Sequence, residues 1–151
     1  MIQLKALTAH LLDRQLVAPE QFDSWSEQVV LDLLWRESEH GLHMSNMRYR
    51  AVFDLERFDG SPTRLMALVG SWLETHDPDR DQHSLPAPSF AIEPLDLGND
   101  LFDVELVLEF VEPQYLTEDP DGEIEAFNKT WSLIPFDLWV AEKGEVVSRG
   151  A

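Results

Sequence analysis

Residues 47–58, MRYRAVFDLERF, decide the fold prediction because apolar and charged side chains alternate along them. Side chains at every second position of a β-strand point to the same face, so the alternation predicts a strand with one face in the core. The core face carries Met47, Tyr49, Ala51, Phe53 and Leu55, and the other face carries Arg48, Arg50, Asp54 and Glu56. One polar face therefore holds two of the 11 basic residues of the chain.

The segments before this strand predict a helix followed by a β-hairpin. Apolar residues recur at helical spacing from Ile2 to Leu16, and Pro19 closes that helix. Residues 24–36, SWSEQVVLDLLWR, also match a helix capping box, but their alternating apolar positions favour a strand. Residues 37–43 are polar around a glycine and predict the turn into residues 47–58.

The segments after the strand complete an α+β fold in the order α-β-β-α-β-β-β. Residues 61–76 predict a helix with Ser61 as N-cap and Pro62 at its first position, and residues 77–89 predict an extended, solvated and mobile connection. The remaining predicted strands are residues 90–97, 100–112 and 129–142, with a turn at 117–123. We expect an antiparallel sheet of about five strands with two helices packed on one face, in a single domain of residues 1–151.

The charge balance of 11 basic against 29 acidic residues gives a net charge of −18. This charge repels phosphate backbones and anionic lipids, so direct binding to nucleic acid or to a membrane surface is disfavoured. Solubility, a salty cytoplasm and a basic partner are all compatible explanations of the acidity. The absence of cysteine, of a signal peptide and of a long apolar run predicts a soluble intracellular protein.

Two short patterns resemble metal sites, and neither is complete. Asp77, Asp79 and Asp81 alternate like the start of a calcium loop, but the positions that need glycine and glutamate hold Gln82 and Pro88. The next pattern, His40 and His43 beside two glutamates, lacks the second ligand pair of a zinc site. A solvated loop and a turn are the favoured interpretations.

No catalytic constellation is present in the sequence. The acidic residues of 100–112 alternate as on a solvent-facing strand, and LVGSW at 68–72 has only one glycine and lies in a helix pattern rather than at a nucleophile elbow. We predict no enzyme activity, no catalytic or metal-binding residue, no cofactor and no small-molecule substrate.

Trp131 and Trp139 lie in a predicted strand that is apolar on both faces. A strand of this kind must be covered twice, and two helices can cover only one face of a sheet. Tryptophan is favoured at buried interface centres, so Trp131 and Trp139 are candidate interface residues toward another subunit.

Residues 48–79, RYRAVFDLERFDGSPTRLMALVGSWLETHDPD, combine an aromatic-rich alternating strand, a glycine turn and a helix with a Trp-Leu pair ahead of Asp-Pro. Together with FAIEPLDLGNDLFDVELVLEFVE at 90–112, this segment resembles the tail completion protein R family of contractile-tailed, Peduovirus-type phages. The resemblance is clearest over residues 47–112.

The resemblance implies a phage or prophage structural protein, not an enzyme, that acts late in tail assembly and finishes the tail for joining to the head. Proteins of this kind tend to form rings, often hexamers. The implied partners are further copies of the chain and other tail and neck proteins, in the host cytoplasm during assembly and then in the virion tail.

A closed ring needs two different complementary patches on each subunit. The densest basic cluster consists of Arg48, Arg50, Arg57 and Arg64. Acidic loops at 77–81, with Asp79 and Asp81, and at 96–100 are candidate partners across a subunit contact. The alternative is that the arginines form exposed ion pairs with Asp54 and Glu56, worth about 0–1 kcal/mol each.

Two other classes of protein remain open. The first is an acidic binding module, an immunity-type inhibitor or a mimic of nucleic acid, which would bind a basic partner with steep salt dependence. The second is a small hydrolase-like enzyme, which would need a deep pocket with a perturbed acid or histidine.

Overall fold

The computed structural model describes residues 1–95 and 100–135 of the chain. Two α-helices and six strands follow the order α1-β1-β2-α2-β3-β4-β5-β6. Their bounds are α1 Ile2–Asp13, β1 Phe22–Ser38, β2 Gly41–Phe58, α2 Pro62–His76, β3 Ser89–Pro94, β4 Phe102–Glu118, β5 Ile124–Ala126 and β6 Lys129–Ile134. Short 3₁₀ turns occupy Pro19–Gln21 and Arg80–His83. The predicted α+β class and the order of the longer elements are confirmed.

The strands form one sheet in the order β1-β2-β4-β6-β5, and β3 also pairs with β4. The pairs β3–β4, β4–β6 and β5–β6 are antiparallel. The sheet has six strands in the described residues, one more than the predicted number of about five. The additional strand β5 is only three residues long and precedes a turn in which Phe127 and Asn128 both adopt positive φ. No glycine marks this turn in the sequence.

The chain divides into two compact units. The first unit comprises residues 1–29 and 48–111, and the second comprises residues 30–47 with the described part of 112–151. The long strands β1, β2 and β4 contribute to both units, whereas α1 and α2 belong to the first. A single domain over residues 1–151 stays a prediction.

The core of the first unit lies between the two helices and the inner faces of β2 and β4. The Tyr49 and Phe110 rings are 5.8 Å apart, Leu4 N of α1 donates to the Tyr49 hydroxyl (3.2 Å), and the Trp72 ring of α2 is 6.3 Å from Phe110. Both helices therefore cover the same face of the sheet. Fully buried large side chains include Leu7, Leu11, Tyr49, Phe53, Leu55, Phe58, Leu65, Val69, Leu106, Leu108 and Phe110.

Strand β2 buries the predicted inner-face residues from Tyr49 to Leu55, but Val52 on the opposite face is buried as well. Tyr49, Phe53 and Leu55 are buried on the inner face. Arg57 then adopts φ 53°, which is unusual for a residue with a side chain, and the strand bulges there. This bulge lets Phe58 return to the core, although it does not share the parity of Leu55.

Helix α2 forms as its sequence predicts. The Ser61 hydroxyl accepts a hydrogen bond from Arg64 N (3.3 Å), and Pro62 occupies the first turn, where its missing N–H costs nothing. Leu65, Val69, Trp72 and Leu73 form the buried stripe.

Three predicted boundaries are corrected by the structure. The turn predicted at 37–43 is confined to Glu39 and His40, because β1 runs to Ser38 and β2 begins at Gly41. Strand β4 continues beyond residue 112 to Glu118. Strand β6 ends at Ile134, before Pro135, and residues 136–142 of the strand predicted at 129–142 lie outside the described residues.

Candidate interaction surface

Two of the four candidate arginines pair with carboxylates on neighbouring strands. Arg48 Nε of β2 lies 2.7 Å from Glu109 Oε1 of β4, and Arg50 Nε lies 3.3 Å from Glu27 Oε1 of β1. The Arg50 contact is an ion pair without hydrogen-bond geometry, since this buried Nε has no hydrogen-bond partner. The partners are therefore not Asp54 and Glu56, which the alternative interpretation of the sequence had named.

Arg57 and Arg64 are exposed, and neither side chain forms an ion pair within residues 1–95 and 100–135. The backbone N of Arg57 donates to Asp103 Oδ1 (3.0 Å). The guanidinium groups of these two arginines are thus the accessible part of the predicted basic cluster.

Asp79 and Asp81 are exposed at the start of the 3₁₀ turn Arg80–His83. Arg80, between them, turns toward the protein: its Nη1 donates to Asp77 Oδ2 (2.8 Å) and to Glu109 O (2.9 Å). Its Nη2 reaches Pro86 O (3.4 Å), and the guanidinium lies 5.8 Å from the centre of the Phe110 ring. The segment 77–89 is consequently tied to β4 near its start, and the expectation of a wholly extended, solvated connection is wrong there.

Burial raises the pKa of Asp77, and the hydrogen bond and charge of Arg80 oppose that rise. Burial is also the main reason why the pKa of Asp54 on the polar face of β2 is raised, with further contributions from Glu56, Glu105, Asp103 and Asp23. Burial and the neighbouring carboxylates therefore both disfavour the charged form of Asp54.

Trp131 is partly exposed on β6, and its Nε1 donates to Ala126 O (2.9 Å). Lys129 Nζ lies 5.9 Å from the centre of its ring. Leu133, two residues further along β6, is 52% exposed. Trp139 lies outside the described residues, so its predicted interface role stays a prediction.

His40 of the β1–β2 turn and His43 of β2 both contact the Tyr115 ring. The His43 ring stacks on Tyr115 at 4.7 Å, and the edge of His40 approaches the same ring at 5.8 Å. His43 Nε2 donates to Asn46 Oδ1 (2.9 Å). Among the residues that the structure describes, no group of three or more histidine or acidic side chains is placed to hold a metal ion.

Two open surface depressions of about 620 Å³ each are present in the described part of the chain. One lies beside β5 and β6 and is lined partly by Glu118, Glu125 and Lys129, with the Lys129 Nζ bound to Glu118 at 3.2 Å. The other lies beside the end of α1 and includes Arg57 and Asp59. Neither lining contains a histidine, so neither offers an imidazole as a general base.

Strand β1 exposes large apolar side chains that the sequence interpretation did not single out. Within the second unit, the exposed fractions are 52% for Val30, 47% for Leu31 and 58% for Leu33, and Val29 just before them is 49% exposed. A signal was present, since VVLDLL at 29–34 places apolar residues at both parities. The same double-sided pattern predicts a contact for residues 129–142, whereas the alternation of residues 24–36 predicts only a strand for β1.

None of the helices within residues 1–95 and 100–135 is long and apolar enough to span a membrane.

Comparison with known proteins assigns the chain to a family. The family model described as P2 phage tail completion protein R (GpR) matches residues 1–135. The protein named "Uncharacterized 19.2 kDa protein in rep-hol intergenic region" of Haemophilus phage HP1 (strain HP1c1) is 29% identical over 132 residues, which are 85% of this chain and 78% of that protein. No solved structure matches the chain with significant similarity. Because the family model spans most of the sequence, the chain belongs to the P2 phage tail completion protein R (GpR) family.

Proposed function

We propose that the protein completes the end of a phage tail and prepares it for joining to the head, as a homo-oligomeric ring and without catalysis. The observation that carries the proposal is the family match over residues 1–135, which includes α1, both units and β6. A match of this extent covers the whole described fold rather than one shared motif.

The charged surface fits a protein that binds other proteins. Arg57 and Arg64 are exposed and form no ion pair within the described part of the chain, and Asp79 and Asp81 are exposed at a turn. Pairing of these arginines with the acidic turn of a neighbouring copy would supply two complementary patches, as a closed ring requires. Arg48 and Arg50 belong to the same candidate contact, but each would first have to leave Glu109 or Glu27.

The proposed partners are further copies of the chain and other tail and neck proteins, without nucleic acid, membrane or small-molecule substrate. Assembly would take place in the host cytoplasm and leave the protein in the virion tail. These partners follow from the role of the family and from the net charge of −18, which disfavours contact with phosphate groups.

The direct experiment deletes the gene from its phage or prophage and supplies it again from a plasmid. The proposal expects mature heads and unjoined tails by electron microscopy without the protein, and infectious particles when it is restored. Normal joined particles in the deletion would contradict a tail completion role.

Light scattering of the purified protein tests the ring separately. The acidic binding module, favoured only by the charge of −18, would instead be a monomer or dimer whose binding to a basic partner weakens steeply with salt. Tight, salt-sensitive binding of a basic protein by a monomer, together with normal tails in the deletion, would replace the proposal by this alternative.

A further inference from the structure

We propose that residues 30–34 of β1, the β1 apolar stretch, form a contact surface for a second copy of this chain. The inference rests on the proposed ring and names a surface through which its subunits meet. It depends on strand order, exposure and charge within the second unit.

Strand β1 stands at one end of the strand order, so one of its edges has no neighbouring strand within the described sheet. An open edge presents unpaired N–H and C=O groups to any other strand, and proteins usually protect such edges with charged residues, proline or a short length. The β1 apolar stretch has one charge, Asp32, and no proline, and it lies within a strand of 17 residues. Within the described residues, protection of this edge is limited to Asp32 and to the irregular backbone that flanks the stretch, where Gln28 and Trp35 adopt positive φ.

The side chains of this stretch are exposed on both faces of the strand. Val30 and Leu31 are adjacent and point to opposite faces, yet they are 52% and 47% exposed, and Leu33 is 58% exposed. Neither face is covered by a helix of the second unit, because its described residues are strands and turns. Contiguous apolar surface of this kind is typical of a protein contact.

The charge distribution favours another copy of the chain as the occupant. Two chains of net charge −18 repel each other, so an apolar contact between copies is least opposed by this repulsion where charge is sparse. Residues 28–35 contain one charged residue, whereas the whole chain contains 40. A basic partner would find its complement on the acidic surface elsewhere, because this stretch offers only the single charge of Asp32.

A standard interface involves roughly 20–30 residues on each side, so the β1 apolar stretch forms the centre of the contact and not all of it. In a closed ring this patch meets a different surface of the next copy. Each copy has other edge strands to offer, since β5 ends the strand order on the opposite side.

The first test replaces Leu31 and Leu33 together by lysine and uses Met66→Lys as the matched control. Met66 is also an exposed large apolar residue, at 37%, but it lies on α2. Light scattering over a concentration series is expected to show that the double variant needs about ten-fold more protein, or higher, for half assembly, whereas Met66→Lys behaves as the wild type. Circular dichroism checks that both variants fold.

The second test avoids added charge. The chain contains no cysteine, so Leu33→Cys and Met66→Cys each provide a single thiol for maleimide labelling. The inference expects Cys substituted at position 33 to be labelled rapidly in dilute protein and slowly in assembled protein, and the thiol at position 66 to be labelled equally in both.

The outcomes separate this inference from the proposed function. If the Leu31→Lys, Leu33→Lys variant forms the same ring as the wild type, and position 33 is fully labelled in that ring, the β1 apolar stretch is not the contact surface. The proposed ring itself would then still stand. A wild type that stays monomeric overturns both. Protection of position 33 only after another tail protein is added overturns the second copy as the occupant.

Discussion

Strands β1 and β2 are the two arms of one hairpin, similar in length at 17 and 18 residues and both rich in apolar residues, yet their burial is opposite. β2 contributes Tyr49, Phe53 and Leu55 to the core, whereas no residue of β1 is buried. The helices that cover the inner face of β2 belong to the first unit, and the β1 apolar stretch belongs to the second. Apolar alternation thus indicates a strand, while the neighbouring layer decides whether that strand is core or contact surface.

The largest expected effect comes from removing a buried side chain of β2. Phe53 is fully buried with its ring 6.5 Å from Phe22, so Phe53→Ala should lower the free energy of unfolding by about 3–5 kcal/mol. The matched change Leu33→Ala on β1 should cost the monomer no more than about 0.5 kcal/mol, because its side chain is already in water. Urea unfolding at a concentration where the protein is monomeric measures both.

Equal losses of stability in the two variants would contradict the difference in burial between β1 and β2, since they would mean that β1 is covered within one chain. A loss of stability in Leu33→Ala that appears only at concentrations where the protein assembles would support this difference, because burial of that side chain would then come from another copy.

The fold could be predicted where the local sequence pattern also shows which face of the element is buried. Helix α2 has its N-cap, its proline and one apolar stripe in the sequence, and β4 has a clean alternation. The three-residue β5 has no such signal, because its turn uses Phe127 and Asn128 in left-handed conformations instead of glycine. It pairs with β6 as a local hairpin across the two-residue loop Phe127–Asn128, and this loop lacks the glycine that usually signals such a turn.

The candidate site could be predicted only in part. The sequence identifies the arginine cluster, but the partners of its first two members are distant: Arg48 binds Glu109, 61 positions away, and Arg50 binds Glu27 on the other neighbouring strand. Strand order decides these pairs, and a chain-local interpretation can propose only Asp54 and Glu56. Arg80 shows the same limit, because its bond to Glu109 O requires β4 to lie beside residues 77–81.

The next largest effect concerns the turn that joins the two strands. Gly41 has φ 118°, and an added Cβ would lie 2.6 Å from Leu116 O, so Gly41→Ala should destabilise the fold by about 2–3 kcal/mol. Gly70 on α2 is the control: its Cβ would meet no atom within 4 Å, and Gly70→Ala should stabilise the helix by about 0.5–1 kcal/mol. Thermal unfolding shows whether each variant is more or less stable than the wild type. A Gly41→Ala variant of unchanged stability would show that the β1–β2 register is not fixed at this turn.

The smallest expected effect lies on the polar face of β2, where burial, followed by Glu56, Glu105, Asp103 and Asp23, raises the pKa of Asp54 above its ordinary value of 3.8. Between pH 3.8 and the raised pKa of the folded state, the folded protein binds more protons than the unfolded protein. The contribution of Asp54 therefore lowers stability as the pH rises through this range. Asp54→Asn should therefore be more stable than the wild type at neutral pH, and the gain should disappear below the ordinary value. Asp100→Asn, at an exposed loop position, removes the same charge and corrects for net charge. Urea unfolding from pH 3 to pH 8 measures the difference, and an equal gain in both variants would assign it to net charge rather than to the environment of Asp54 on the polar face of β2.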